Sequence, residues 1–133
     1  MKKVNFKELI IFEDDDYIAV NKPPLLATLE DRASNQNLLA LAKRYAPDAQ
    51  MCHRLDKETS GVLLIAKNPE AYRSASIQFE KRQVQKTYHA IVDDVHDLNN
   101  VEVDHALQVM GNGQVKISSR DGKDAHTVFN TLK

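Results

Sequence analysis

Apolar and polar residues along this chain change over in short runs, and the period of each run sets the expected element. Leu9-Ile10-Ile11-Phe12 and Tyr17-Ile18-Ala19-Val20-Asn21 are β-type runs separated by Glu13-Asp14-Asp15-Asp16, which reads as a hairpin with an acidic turn. The three Asp are read as a solvated turn, because no second ligand cluster accompanies them. Lys22-Pro23-Pro24 stops the second strand, since Pro cannot donate to a ladder. Ser34 is the expected N-cap of a helix through Leu38, Leu39, Leu41, Ala42 and Tyr45, ended by Pro47. Val62-Leu63-Leu64-Ile65-Ala66 predicts a strand buried on both faces. Asn68 caps a further helix with Pro69 in its first turn. Its stripe is Ala71, Ala75, Ile77 or Gln78, and Phe79, and it runs to about Arg82. Residues 86–92 alternate enough to be a strand. Residues 101–103, 114–118 and 125–132 read as further short strands joined by turns, of which Gly111-Asn112-Gly113 is the clearest. The class is α+β, a mostly antiparallel sheet with flanking helices.

Composition narrows this picture. The chain has 133 residues, 42% hydrophobic, with a net charge of -1. That length suits one domain, and the small net charge with ample apolar residues argues against wholesale disorder. No apolar stretch approaches the roughly 18–20 residues of a membrane span. The start, Met1-Lys2-Lys3-Val4, leads into no apolar core of a secretory signal. A lone Cys52 fits a reducing compartment. A soluble, cytoplasmic protein is expected. The charge is unevenly placed: residues 1–87 carry 14 basic against 12 acidic residues, and residues 88–133 carry 4 against 7. Within residues 67–86 five basic residues (Lys67, Arg73, Lys81, Arg82, Lys86) face two acids, Glu70 and Glu80. Such a stretch is either a solvated helix face or the footprint of a polyanion.

Metal and nucleotide chemistry find little support. The five His show no metal-ligand spacing, and one Cys cannot build a structural zinc site. Phosphate-loop and dinucleotide glycine patterns are missing, and Ser60-Gly61 lacks the frame of a hydrolase elbow. The segment before the apolar strand is more telling. His53, Arg54, Asp56, Lys57, Glu58, Thr59 and Ser60 are polar residues delivered to the end of a buried strand, a favoured place for functional groups. A carboxylate between Arg54 and Lys57 is placed to act as nucleophile or base; the same charges could equally cap a helix or satisfy backbone groups.

His53-Arg54-Leu55-Asp56-Lys57-Glu58-Thr59-Ser60-Gly61, followed by the strand and Ala66-Lys67-Asn68, closely resembles the H-R-L-D-x-x-T-S-G signature of RluA-type pseudouridine synthases. Upstream, residues 11–23 with their Asn21-Lys22-Pro23 look like the opening hairpin of that family. Downstream, Gln78-Phe79 and Val84-Gln85-Lys86-Thr87-Tyr88 resemble its helix end and Lys-x-Tyr strand. The resemblance is strong over residues 9–92 and weak over 93–133, so the chain is expected to be a single partial catalytic domain. No S4-type RNA-binding extension is expected ahead of the match.

The resemblance implies isomerisation of specific uridines in rRNA or tRNA to pseudouridine, without a cofactor or metal. It implies Asp56 as the catalytic aspartate, and Arg54 as the side chain that helps extrude the target base and fills its vacancy. Tyr88 would be the aromatic beside the flipped uracil. His53, Leu55, Thr59, Ser60 and Gly61 would shape the catalytic loop. Two departures stand out. Pro24-Leu25-Leu26-Ala27-Thr28-Leu29 replaces the family's Gly and His-Pro-like turn, and nothing between Tyr88 and Lys133 matches the later Arg-containing motif. Arg120 sits in Ser118-Ser119-Arg120-Asp121-Gly122, which reads as a turn. The 133 residues alone are therefore expected to be nearly inactive and to self-associate through uncovered sheet edge. The competing reading is a non-catalytic RNA-binding or chaperone module on the same scaffold.

Overall fold

The computed structural model describes residues 3–30 and 36–133. The chain gathers into two units, residues 1–87 and 88–133. In the first, a short helix α1 (Phe6–Leu9) leads into β1 (Ile10–Glu13) and β2 (Tyr17–Lys22); then follow α2 (Leu38–Tyr45), β3 (Gln50–Met51), β4 (Gly61–Ala66) and α3 (Pro69–Glu80). The strands form one antiparallel sheet in the order β1-β2-β4-β3.

The expected hairpin is present, and its acidic turn is more tightly held than a solvated turn requires. Asp14 Oδ1 accepts from the backbone N–H groups of Asp16 and Tyr17 at 2.8 and 2.7 Å. Lys67 pairs with Glu13 at 2.7 Å and donates to the Asp14 carbonyl, while Asn68 donates to Asp16. The Ala66-Lys67-Asn68 end of β4 thus clamps the hairpin tip. Asn68 also caps α3, accepting from Ala71 N–H at 2.8 Å, with Pro69 at the first turn. Ala71 and Ala75 are buried as expected, and Phe79 packs beside them, whereas Ile77 and Gln78 face solvent.

Two packed layers follow from the strand period. Ile18, Val20, Leu63 and Ile65 face one way and meet Phe6, Leu26, Leu38, Ala42, Ala49 and Leu55 in the main core. Across the sheet, Ala66 and Leu64 meet Cys52, Tyr17 and the buried stripe of α3.

Several expectations need correction. The cap of α2 is Asn37, whose side chain accepts from Ala40 N–H at 2.8 Å; Ser34 lies outside the described residues. β4 is not buried on both faces throughout, because Val62 is 66% exposed. Its neighbour across the ladder is Asn21, and the covering stripe of α3 reaches only Leu64 and Ala66. Residues 86–92 do not form a strand. A strand exists through its ladder, and this segment has no ladder partner among the described residues. Short β3 and α1 escaped the sequence reading, as their two and four residues carry no period.

The second unit holds two separate ribbons. β5 (Val101–Asp104) pairs antiparallel with β8 (His126–Phe129), and β6 (Leu107–Val109) with β7 (Val115–Ile117). The Gly111-Asn112-Gly113 turn joins the latter pair, with Gly113 at φ 86° where a side chain would strain. Arg120 lies in a turn, as expected.

Candidate active site

The signature occupies the connection from β3 to β4, and the sheet fixes both of its ends. His53 enters as a structural side chain. β3 pairs with β4 only through Gln50 and Met51, after which His53 Nε2 accepts the Leu64 backbone N–H at 3.0 Å. The imidazole thus replaces the next rung of the ladder. Its ring stacks on Phe79 at 4.3 Å between centroids and 16° between planes. Burial, with Lys86 adding a smaller repulsion, pushes the His53 imidazole below its usual range. A neutral ring that accepts at Nε2 carries its proton on Nδ1. Cys52, its neighbour, is buried, and burial pushes its thiol up to about 11. It is a poor nucleophile at neutral pH.

Leu55 is the apolar anchor of the loop, 6% exposed in the main core. Buried Thr28 holds its backbone on both sides. The Thr28 hydroxyl donates to the Leu55 carbonyl at 2.7 Å and accepts from the Leu55 N–H at 3.3 Å. Arg54 and Asp56, which flank Leu55, are both exposed. Alternation about one buried residue therefore presents the guanidinium and the carboxylate to solvent from a fixed backbone.

The next fixed point is Lys22. Its side chain is wholly buried, and its ammonium donates to the carbonyls of Pro23, Leu26 and Lys57 at 3.0, 2.8 and 3.0 Å. Burial lowers its pKa, while Glu58 and Asp56 favour its charge. Lys22 is thus a cation placed beneath the loop, within the electrostatic reach of Asp56. Leu25 N–H also donates to the Lys57 carbonyl, at 2.7 Å. Leu25 holds φ 69°, a left-handed conformation that glycine adopts without strain. Leu25, 58% exposed, carries that strain itself.

The loop ends in a turn, with Thr59 N–H donating to the Asp56 carbonyl at 3.0 Å. Gly61 then enters β4 at φ 128°. Nothing lies within 4 Å of where its Cβ would stand, so backbone conformation alone demands glycine here. Ser60 is exposed and Thr59 half-buried. Tyr88 opens the second unit and is 58% exposed.

Lys22 and Thr28 were not singled out from sequence as parts of a site. The signal for Lys22 was available, because Ile18, Val20 and Lys22 share one strand face by period 2, and that face is the core. Thr28 gave none; its role depends on a loop that returns to Leu55 across 27 residues.

Comparison with known proteins identifies the family. The family model described as RNA pseudouridylate synthase matches residues 16–133. The dual-specificity RNA pseudouridine synthase RluA of Vibrio parahaemolyticus is 34% identical over 128 residues, covering 93% of this chain and 51% of the relative. The ribosomal large subunit pseudouridine synthase C of Rickettsia felis is 36% identical over 132 residues, covering 95% and 43%. This chain thus spans about half the length of the curated relatives it matches. Among solved structures, Human RNA Pseudouridylate Synthase Domain Containing 4 superposes with a TM-score of 0.66 at 23% identity, covering 96% of this chain and 56% of the other. At that identity the likeness is one of fold. With a signature loop so anchored and matches that run nearly its whole length, this chain belongs to the RluA-type RNA pseudouridine synthase family.

Proposed function

We propose that this chain carries the catalytic loop of an RNA uridine isomerase, with Asp56 as the catalytic carboxylate. The observation that supports it is the mounting of Asp56. It is exposed, yet its loop is fixed at Leu55 by Thr28 and at Lys57 by Lys22 and Leu25. A reacting group misplaced by about 1 Å can lose on the order of 100-fold in rate, so such anchoring suits catalysis better than loose binding.

The reaction is redox-neutral. The bond from uracil N1 to the sugar C1′ breaks, a bond from C5 to C1′ forms, the C5 proton leaves and N1 gains a proton. Asp56 supplies the nucleophile or base at that centre. The target base must leave the stack first, which costs a few kcal/mol and least in an unpaired loop. Arg54, on the same exposed side of the loop, is suited to filling the vacated place; for Tyr88 the stacking role rests on the family resemblance of Lys86-Thr87-Tyr88 alone. The RNA is of the rRNA or tRNA type, and its phosphates meet local basic residues, since the chain as a whole is slightly acidic.

The test is release of tritium from RNA labelled at uridine C5. It is run on the 133-residue chain and on a form extended through the region that its relatives possess. Release by the extended form, abolished by Asp56→Asn with RNA binding retained, is expected. The 133 residues alone should be nearly inactive, because no residue between Tyr88 and Lys133 matches the family's later Arg motif. Near-normal release by Asp56→Asn would remove Asp56 from the role. RNA binding without any release by the extended form would favour the non-catalytic module.

A further inference from the structure

We propose that a groove beside Arg54 holds a nucleotide flanking the target uridine, an inference that rests on the RNA reading above. The groove encloses about 440 Å³, within the range of small-ligand sites, and it lies wholly inside the first unit. α2 contributes Leu39 and Lys43, four residues apart and so on one helix face. β3 contributes Met51 and α3 contributes Tyr72, with Leu29 and Arg54 completing the wall.

The chemistry of this wall selects its occupant. Most of it is apolar, including the Tyr72 ring, which is 37% exposed where a core aromatic would be covered. The two cations, Lys43 and Arg54, stand among the lining residues, and no acid lines it among the described residues. An apolar wall with an aromatic ring suits a base, and cations beside it suit the phosphates on either side; that pairing is how single-stranded RNA is held. Continuity with the candidate active site strengthens the assignment. Arg54 belongs to both, two residues before Asp56, so an RNA strand presenting its uridine to Asp56 passes this groove. A base seated here would hold the strand open while the neighbouring uridine is extruded.

The experiment uses the 133-residue chain and a fluorescein-labelled RNA hairpin with a uridine-containing loop, read by anisotropy between about 50 and 200 mM salt. Tyr72→Leu should weaken binding about five- to hundredfold, the worth of one stacked base. Tyr72→Phe, which keeps the ring, should bind as the unaltered chain does. Lys43→Ala should weaken all RNAs alike and lower the salt slope by about one. Hairpins made abasic at each loop position in turn supply the sharper reading. One position should weaken the unaltered chain by the Tyr72→Leu factor and leave Tyr72→Leu itself no weaker.

Normal RNA binding by both Tyr72→Leu and Lys43→Ala overturns the groove while leaving Asp56 to be judged by tritium release. An unaltered chain that binds no RNA also overturns it. Variants that abolish self-association in sedimentation but leave RNA binding intact would make the groove a protein interface instead. Both side chains are exposed, and far-UV circular dichroism confirms that each variant is folded.

Discussion

The two units of this chain use the same antiparallel pairing and reach opposite results. In residues 3–87, the β2 and β4 strands bury Ile18, Val20, Leu63 and Ile65 completely. In residues 88–133 every ladder is as regular, yet no described residue is buried, and β5, β7 and β8 are exposed along their length. The difference is coverage. The first sheet has a helix on each face, α2 over one and α3 over the other, whereas the second unit is made of two-stranded ribbons, which are marginal in water by themselves. Hydrogen-bonded ladders give a chain its direction; apolar coverage gives it stability. The loop that carries Arg54 and Asp56 lies in the unit that has both.

The largest expected effect tests that contrast directly. Leu63→Ala should cost about 2–5 kcal/mol, through lost transfer energy and an unfilled cavity. Ile117→Ala, at a position 65% exposed, should cost no more than about 0.5 kcal/mol. Urea denaturation of both variants checks this, and equal costs would break the comparison.

Next is Lys22→Met, which keeps the volume but leaves the carbonyls of Pro23 and Leu26 without the ammonium donor and the Lys57 carbonyl with the Leu25 N–H alone. Losing those charged bonds is partly offset by relief from burying the ammonium, so a net cost on the order of 2 kcal/mol is expected. Amide exchange of Lys57 and Glu58 should quicken as well. An unchanged midpoint and unchanged exchange would show that Lys22 does not hold the loop.

A smaller effect depends on pH. Because the His53 imidazole is held below its ordinary value of 6.5 in the fold, the unfolded chain binds more protons in that window. Stability is therefore full above about pH 6.5 and falls as pH drops through it toward the lowered folded value, by no more than about 1.4 kcal/mol per pH unit from this one group. His53→Gln removes the titration while keeping a side-chain acceptor for Leu64 N–H, and should flatten the slope. Thermal melts across pH 5–8 on both proteins, with the same slope in each, would rule His53 out as the cause.

Smallest of all, Leu25→Gly should stabilise the first unit by on the order of 1 kcal/mol, since the left-handed φ no longer strains a side chain and Leu25 is 58% exposed. A lower melting temperature would mean that Leu25 contributes more through contact than it costs in strain.

The sequence by itself determined those features that depend on neighbours along the chain. The β-type run of β2, the continuous apolar run of β4, the Asn68-Pro69 start of α3, the acidic turn and the glycine turn at 111–113 all follow from local propensity and sterics, and each of these elements is present. The residue signature around Asp56 was legible for the same reason, being contiguous. Tertiary structure decided what depends on distant partners. The segment 86–92 alternates like a strand and is none, because a ladder needs a second strand. Val62 reads as core and is exposed, because α3 does not reach it. Lys22 reads as a stop signal and is the most deeply buried cation among the described residues, because carbonyls from two loops converge on its ammonium. Thr28 and Leu55, 27 residues apart, meet only once the core has closed, and that closure fixes the backbone on either side of which Arg54 and Asp56 face solvent.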